Sequence, residues 1–133
     1  MIIDMASVNI FQQKNMVLQN VDIKIKAGEF VYLIGKTGSG KSSLLKTLYG
    51  DLPLKEGVAS VVDFDLGTIK RRKIPFLRRK LGIVFQDFQL LPDRSINDNL
   101  LFVLKATGWK NKSEIETRIN EVLANVGLEN KGF

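Results

Sequence analysis

Residues 35–42 read Gly35-Lys36-Thr37-Gly38-Ser39-Gly40-Lys41-Ser42. A glycine followed after four residues by Gly-Lys-Ser is typical of a phosphate-binding loop, or P-loop. The run at 30–34 before it is continuously apolar, which predicts a strand buried on both faces. Three leucines at helical spacing follow the loop, and Gly50 is a plausible stop for their helix. This order of strand, glycine-rich loop and helix predicts a site for a nucleoside triphosphate.

The backbone of this loop explains its glycines. Gly35 lets the chain turn sharply out of the strand, while Gly38 and Gly40 permit backbone angles and a close approach that a Cβ would forbid. Successive N–H groups can then point at phosphate oxygens, helped by the positive end of the helix dipole. The predicted cofactor-binding set also contains the residues between the glycines: Lys36, Thr37 and Ser39.

Three side chains at the start of the helix complete the predicted site. Lys41 can reach the β and γ phosphates as a positive charge, and Ser43 is placed to reach the α phosphate. The Ser42 hydroxyl can ligate Mg²⁺, a hard ion that prefers oxygen ligands. ATP with Mg²⁺ is therefore the expected ligand.

Two other interpretations of the loop are weaker. A merely flexible Gly/Ser loop is disfavoured because spacing, residue types and context all agree with a P-loop. A dinucleotide site would use Gly38 and Gly40, but it requires Gly or Ala where Ser43 stands, and it leaves Lys41 unexplained.

Composition limits the remaining chemistry. The 133 residues are 44% hydrophobic and contain no Cys and no His, which excludes disulfides, thiolate metal sites and imidazole catalysis within them. The apolar runs are far shorter than the roughly 20 residues that span a bilayer, and the N-terminus does not read as a secretory signal. We therefore expect a cytoplasmic location.

A basic run lies at 70–80, in a chain with 20 Lys+Arg, 14 Asp+Glu and a net charge of +6. One interpretation places this run near the anionic inner leaflet or a membrane partner. The other, a plain solvated helix surface, is favoured at this point because runs of surface charge usually have no specific partner.

Periodicity predicts the other elements. Antiparallel strands are expected at 2–10 and 21–25, a short strand at 58–62 and a buried strand at 81–85. Only about three of the segments could lie in a buried sheet, whereas a sheet usually has about 4–6 strands, so we expect a truncated domain.

Two helices are predicted in the last part of the chain. Ser95 followed by Asp98 resembles a capping box, and the first helix should end before Gly108. Ser113 and Glu116 repeat this start signal for the second helix. Its predicted end is Gly127 followed by Leu128, which suits a left-handed cap with a hydrophobic contact.

Beyond the P-loop, the chain resembles ABC-type ATPases. These proteins carry an antiparallel β-subdomain before the P-loop, and Phe11 falls where they have an aromatic residue that stacks on adenine. Val84-Phe85-Gln86-Asp87 matches their Q-loop, whose glutamine approaches Mg²⁺ and the attacking water and senses the membrane partner. An ordinary core aromatic remains the alternative for Phe11, and an ordinary loop residue the alternative for Gln86.

Within this group, the stretch 75–99 resembles the FtsE type, a cell-division ATPase that pairs with the membrane protein FtsX. The resemblance implies that an FtsX-like protein docks on the loop 86–98. ATPases of lipoprotein-release or macrolide-export transporters share the P-loop and Q-loop and are the alternative.

The implied fold is α/β, a P-loop NTPase of the ABC type with an N-terminal antiparallel β-subdomain and the start of a helical subdomain, truncated. The whole of 1–133 would form the N-terminal part of one nucleotide-binding domain. Its expected parts are the β-subdomain with the central strand (1–34), the P-loop and helix (35–50), the rest of the core to the Q-loop (51–92) and the start of the helical subdomain (93–133).

The resemblance also implies a mechanism. In the full-length protein, a homodimer on the inner face of the membrane would enclose two ATP molecules and hydrolyse them. Lys41 and Gln86 would be catalytic, and Ser42 and Gln86 would contact the Mg²⁺ ion. The family's signature sequence, its Walker B aspartate and the adjacent catalytic glutamate do not occur in these residues. The 133 residues alone are therefore expected to bind nucleotide weakly or not at all, and to be inactive as an enzyme.

Two other classes of protein fit the sequence less well. A guanine-specific P-loop protein should show an Asn-Lys-x-Asp element, but Asn111-Lys112-Ser113-Glu114 lacks the aspartate, and the antiparallel strands before the loop also disfavour a P-loop kinase or GTPase. A non-enzymatic nucleic-acid module should show a helix-turn-helix or an aromatic RNA-binding signature, and neither occurs. No nucleic-acid partner is expected.

Overall fold

A computed structural model of the chain describes residues 1–85 and 90–128. The chain forms two units, 1–82 and 83–133, which are described separately. The elements of the first unit are β1 (Ile3–Gln12), β2 (Asn15–Ile25), α1 (Lys41–Leu48), β3 (Glu56–Val61), β4 (Phe64–Asp65) and α2 (Ile74–Arg79), the last preceded by a 3-10 turn at Arg71–Lys73. Those of the second unit are α3 (Ile96–Ala106) and α4 (Lys112–Asn125).

The sheet of the first unit has the strand order β2-β1-β3-β4, and every neighbouring pair is antiparallel. β1 lies between β2 and β3, so Met5 pairs with Ile23 on one side and with Ala59 on the other. The predicted antiparallel strands before the P-loop and the predicted strand at 58–62 are thereby confirmed.

The core of the first unit forms where β1 and β3 meet the two helices. The cluster contains Met5, Val8, Ile10, Leu44, Ala59, Val61, Leu66 and Leu77. Leu44 belongs to α1 and Leu77 to α2, and burying a leucine side chain stabilises a fold by about 1.5–3 kcal/mol. Both helices are therefore held to the strands by apolar contacts.

α1 ends as its sequence predicts. Gly50 has a φ of 82°, in the left-handed region, and its N–H donates to the carbonyl of Thr47 at 3.3 Å. The N–H of Asp51 donates to the carbonyl of Lys46 at 2.8 Å. These two bonds form a Schellman cap, which satisfies carbonyls that the helix end leaves open.

The predicted buried strand at 30–34 is wrong for this structure. No regular element forms there, and Phe30 and Ile34 are 82% and 90% exposed. A strand buried on both faces needs hydrogen-bonded neighbours and covered faces, and none of the four strands in the described residues pairs with this run. The described sheet therefore does not cover the apolar side chains of this run.

The predicted buried strand at 81–85 is wrong for the same reason. The described sheet does not include this segment, and Val84 is 88% exposed. Apolar composition alone does not form a strand, because its backbone N–H and C=O groups need partners on a neighbouring strand.

The second unit is a pair of helices packed through a small apolar cluster. Ile115, Ile119 and Leu123 of α4 are buried against Leu100, Leu101, Leu104 and Leu128. No helix in the described parts of the chain is long and apolar enough to cross a bilayer.

The helix caps of this unit confirm one predicted start and correct the other. Ser95 caps α3 as predicted, since its hydroxyl accepts the N–H of Asp98 at 3.1 Å. α4 does not start at Ser113. Its cap is Asn111, whose side-chain oxygen accepts the N–H of Glu114 at 3.1 Å. Asparagine caps a helix as well as serine does, so the earlier residue takes the position.

The predicted end of α4 is confirmed. Gly127 has a φ of 75°, and the N–H of Leu128 donates to the carbonyl of Leu123 at 2.7 Å. Leu128 also packs against the cluster that contains Leu123, which is the hydrophobic contact expected of this cap.

Gly57 of β3 lies close to the backbone of β1 where the register of that pair is irregular. Gly57 has a φ of 98°, and a Cβ there would lie 2.5 Å from the carbonyl oxygen of Ser7 and 2.6 Å from the Cα of Val8. Ser7 itself has a φ of 52°, and its N–H donates to the carboxylate of Asp22 at 2.8 Å. Only glycine fits opposite this irregularity.

We expect Gly57→Ala to lower the free energy of unfolding by about 2–3 kcal/mol, because the added methyl group meets backbone atoms that cannot move aside. Urea unfolding measures the difference. Gly82→Ala is the matched control, since a Cβ there meets nothing within 4 Å, and it should change stability by less than about 0.5 kcal/mol. Equal losses in the two variants would contradict this account of β1 and β3.

Candidate functional site

The glycine-rich loop leads directly into α1, whose first residue is Lys41. The N–H of Ser39 donates to the carbonyl of Lys36 at 3.0 Å, which closes a turn over Thr37 and Gly38. Gly38 has a φ of 83°. Where residues with left-handed backbone angles alternate with residues in right-handed helical conformation, successive N–H groups point to one side of the backbone. They form a concave site that can bind an anion.

Gly40 is the most constrained position of the loop. It caps α1 with φ 77° and ψ 44°, and a Cβ there would lie 2.6 Å from Cγ1 of Val17 and 3.1 Å from Cγ of Leu18. β2 therefore packs directly against the start of the helix. Glycine is required here both for its backbone angle and for the space that it leaves.

Gly35 is constrained by the loop itself. A Cβ at Gly35 would lie 2.6 Å from the hydroxyl oxygen of Ser39 and 3.7 Å from Cγ of Lys41. The two ends of the loop are thus close enough for side chains at its far end to cover its beginning.

Lys41 bridges the two ends of the loop. Its ammonium group donates to the carbonyl oxygen of Gly35 at 2.6 Å, so the positive charge lies against the loop backbone. The first turn of α1 contains no acidic side chain, and the partial positive charge of the helix N-terminus is not offset there. An anion at this loop would meet a helix N-terminus, a lysine and backbone N–H groups together.

The two serines after Lys41 face different surroundings. Ser42 is exposed, so its hydroxyl is accessible to an ion or a ligand. Ser43 is only 4% exposed, and its hydroxyl oxygen accepts a hydrogen bond from the amide of Gln12 at 3.2 Å. Contact of Ser43 with an α phosphate stays a prediction. Since Gln12 occupies one lone pair, the hydroxyl hydrogen of Ser43 can point elsewhere.

Gln12 is a residue that the sequence did not single out. It lies at the end of β1 and ties that strand to the first turn of α1. A glutamine at a strand end has no distinctive pattern, so only the tertiary contact reveals its role.

Phe11 precedes Gln12 and lies outside the core cluster of the first unit. Its ring is half-buried, and the ammonium of Lys55 lies 5.7 Å from the ring centroid. That ammonium also donates to the carbonyl of Gln13 at 2.9 Å. Its place outside the core cluster disfavours the interpretation of Phe11 as an ordinary core aromatic. Stacking on adenine stays a prediction.

Gln86, predicted as a catalytic and metal-contacting residue, lies outside the described residues. Asn99 makes several hydrogen bonds within the described residues that follow. The side-chain oxygen of Asn99 accepts the N–H of Leu91 at 2.8 Å, and its amide donates to the carbonyls of Leu91 at 3.2 Å and Ser95 at 2.9 Å. Asn99, in the first turn of α3, thus fixes Leu91 and Ser95 relative to that helix.

The donor set at the loop fits a Mg²⁺ ion that arrives with a phosphate ligand. No group of three or more His, Cys, Asp or Glu side chains in the described residues could hold a metal by itself. Mg²⁺ usually keeps several waters and needs few protein ligands when phosphates are present. The exposed hydroxyl of Ser42 is suited to supply one of them.

Comparison with known proteins agrees with this geometry. The sequence profile of the ABC transporter family matches residues 18–132. The cell division ATP-binding protein FtsE of Bacillus subtilis is 42% identical over 114 residues, which are 86% of this chain and 50% of that protein. The methionine import ATP-binding protein MetN of Clostridioides difficile is 36% identical over 129 residues, 97% of this chain and 40% of that protein. The chain therefore spans half or less of the length of these relatives.

A solved structure has the same fold. The dimeric ATP-binding cassette MJ0796, bound to ADP and Pi, aligns with a TM-score of 0.80 and 27% identity over 98% of this chain and 59% of that one. The predicted fold class is thereby confirmed.

We expect Gly40→Ala to weaken binding of ATP by tenfold or more, because the new methyl group would push β2 and the helix N-terminus apart and misalign the loop N–H groups. Isothermal titration calorimetry measures the affinity. Gly28→Ala is the matched control: Gly28 has a φ of 82°, but a Cβ there meets nothing within 4 Å. It should cost about 1 kcal/mol of stability and leave the ATP affinity unchanged. Unaltered affinity in Gly40→Ala would show that the contact with Val17 does not shape the site.

Proposed function

Since the chain belongs to the ABC transporter family, we propose that it is the nucleotide-binding part of an ATPase subunit that drives a membrane partner. The observation that carries this proposal is the loop geometry: two left-handed glycines, a helix N-terminus without acidic residues, and the Lys41 ammonium held across the loop. Such an arrangement suits a polyphosphate.

The chain's own residues would bind and position the nucleotide. Lys41 would exchange the carbonyl of Gly35 for oxygens of the β and γ phosphates, and the loop amides would hold the phosphate chain in place. Ser42 would hold Mg²⁺, which neutralises charge that develops between the β and γ phosphates. Gln86 would position the attacking water, and Phe11 would stack on the adenine.

Within the family, we propose the cell-division type. This is supported by the identity to FtsE and by the resemblance of the stretch 75–99 to that type. The subunit would work as a homodimer with an FtsX-like membrane protein, on the cytoplasmic face of the membrane. The 36% identity to MetN favours a second candidate, the ATPase of a transporter. In that case the membrane partner would be a permease.

Lys41→Ala should weaken ATP binding at least tenfold, because charge-assisted hydrogen bonds to phosphate contribute about 1.5–3 kcal/mol each. Equilibrium binding of a fluorescent ATP analogue measures the loss. Lys46→Ala removes the same charge from the last turn of the same helix and should change the affinity less than twofold. Equal losses would mean that the nucleotide senses only net charge, which would refute the P-loop assignment.

We further propose that the 133 residues bind ATP without turning it over, because the family's catalytic glutamate is not among them. Steady-state phosphate release by this chain that disappears in Lys41→Ala would refute this part while leaving the binding proposal intact.

The proposed partner is tested by cross-linking, for which the absence of cysteine makes single introduced thiols unambiguous. We expect Asp93→Cys, in the exposed turn before α3, to cross-link to an FtsX-like protein in co-expressing membranes through a maleimide–succinimidyl ester reagent, which joins the introduced thiol to a lysine amine of the partner. Lys110→Cys, exposed in the segment before α4, is the control and should give no cross-linked product with that protein. Cross-linking of Asp93→Cys to a methionine-importer permease, and not to FtsX, would support the second candidate.

A further inference from the structure

The positive charge of this chain is concentrated in one segment. Residues 70–80 contain seven Lys and Arg side chains and no Asp or Glu. The net charge of the whole chain is +6, so the segment alone carries more positive charge than the entire chain. The other residues together are close to neutral. The basic character of the protein is therefore a property of this segment.

These cations face solvent, and no carboxylate of residues 1–85 or 90–128 forms a salt bridge with them. All seven side chains are exposed, and the salt bridge found among the described residues, Arg118 with Glu121, lies elsewhere. Arg78 has a structural role, since its Nε donates to the carbonyl of Tyr49 at 3.0 Å. The remaining six repel one another in water, a cost that an anionic surface would relieve.

The orientation of the segment is set by the core. Leu77 of α2 is fully buried, whereas Phe76 on the same helix is 46% exposed. The ammonium of Lys73 lies 5.3 Å from the centroid of the Phe76 ring, and the guanidinium carbon of Arg79 lies 4.9 Å from it. An apolar ring thus lies on the solvent side of α2 with a cation from each end of the helix beside it.

We propose that residues 70–80 bind an anionic phospholipid surface directly, with Lys73, Phe76 and Arg79 at the centre of the contact. Basic side chains near such a surface attract its phosphate headgroups, and an exposed aromatic ring gains by entering the boundary between headgroups and acyl chains. The contact is with lipid and is separate from docking on a membrane protein.

A single-stranded nucleic acid is the competing polyanion, and it fits less well. Bases bind to protein surfaces by stacking on open aromatic faces. Two cations already lie over the Phe76 ring, so a base would have to displace them. A lipid surface does not require the cations to leave the ring, because the edge of the ring would enter the surface while the cations contact the headgroups.

Vesicle co-sedimentation of the whole chain tests the proposal, with equal parts phosphatidylglycerol and phosphatidylcholine compared with pure phosphatidylcholine. We expect binding to the anionic vesicles only, weakened by salt. The double variant Lys73→Gln/Arg79→Gln should bind about 25-fold more weakly, since each basic residue near an anionic surface contributes roughly fivefold. Lys24→Gln/Lys26→Gln removes the same charge from exposed positions at the end of β2 and should lose less than about threefold.

A second variant tests the role of the Phe76 ring separately from that of the charges. Phe76→Ser leaves every charge in place and should weaken binding to the anionic vesicles about threefold or more, most clearly at high salt where charge attraction is screened. Unchanged binding of Phe76→Ser would remove the ring from the proposal.

Three results would overturn the proposal as a whole. They are equal losses in the two double variants, equal binding to neutral vesicles, and binding to single-stranded DNA but not to vesicles. ATP affinity is measured in parallel on the same variants and should not change. A failure of the vesicle test is thereby distinguished from a failure of the proposed nucleotide site.

Discussion

The close approach of Gly40 to Val17 is the contact on which the rest of the first unit's function depends. A helix N-terminus can serve an anion only if its N–H groups face the ligand, and here β2 sets that direction by packing against a residue without a side chain. Gln12 adds a polar tie from β1 to Ser43 in the first turn of α1. The loop is therefore positioned by the strands beside it, not by its own flexibility.

The same core also supports the basic surface. Leu44 anchors α1 and Leu77 anchors α2 in one apolar cluster with β1 and β3. The cap at Gly50 ends α1, and the carbonyl of Tyr49 beside it accepts the hydrogen bond from Arg78 of α2. Nucleotide binding and lipid binding would thus use different parts of a single packed arrangement of elements, the start of α1 and the exposed side of α2.

Local signals in the sequence predicted much of this structure. Ser95 with its cap on α3, Gly127 with the hydrophobic contact of Leu128, and Gly50 at the end of α1 are short-range patterns whose partners lie within a few residues. The start of α4 shows the limit of such signals. Asn111 and Ser113 can both cap a helix, and the helix uses Asn111, whereas the sequence pattern predicted Ser113. The contact between Gln12 and Ser43 joins residues 31 positions apart, and no local pattern reports it.

What the sequence by itself determined is the chemistry of the phosphate loop: the glycines, Lys41 and Ser42 are recognisable because a short, continuous backbone must surround an anion. The tertiary structure alone decided which apolar runs become strands. The run at 30–34 is as apolar as any of the four described strands, yet it stays exposed, whereas β1 pairs with a strand on each side and buries Met5, Val8 and Ile10. The physical reason is that a helix satisfies its own backbone hydrogen bonds, whereas a strand needs neighbours that its own residues do not specify.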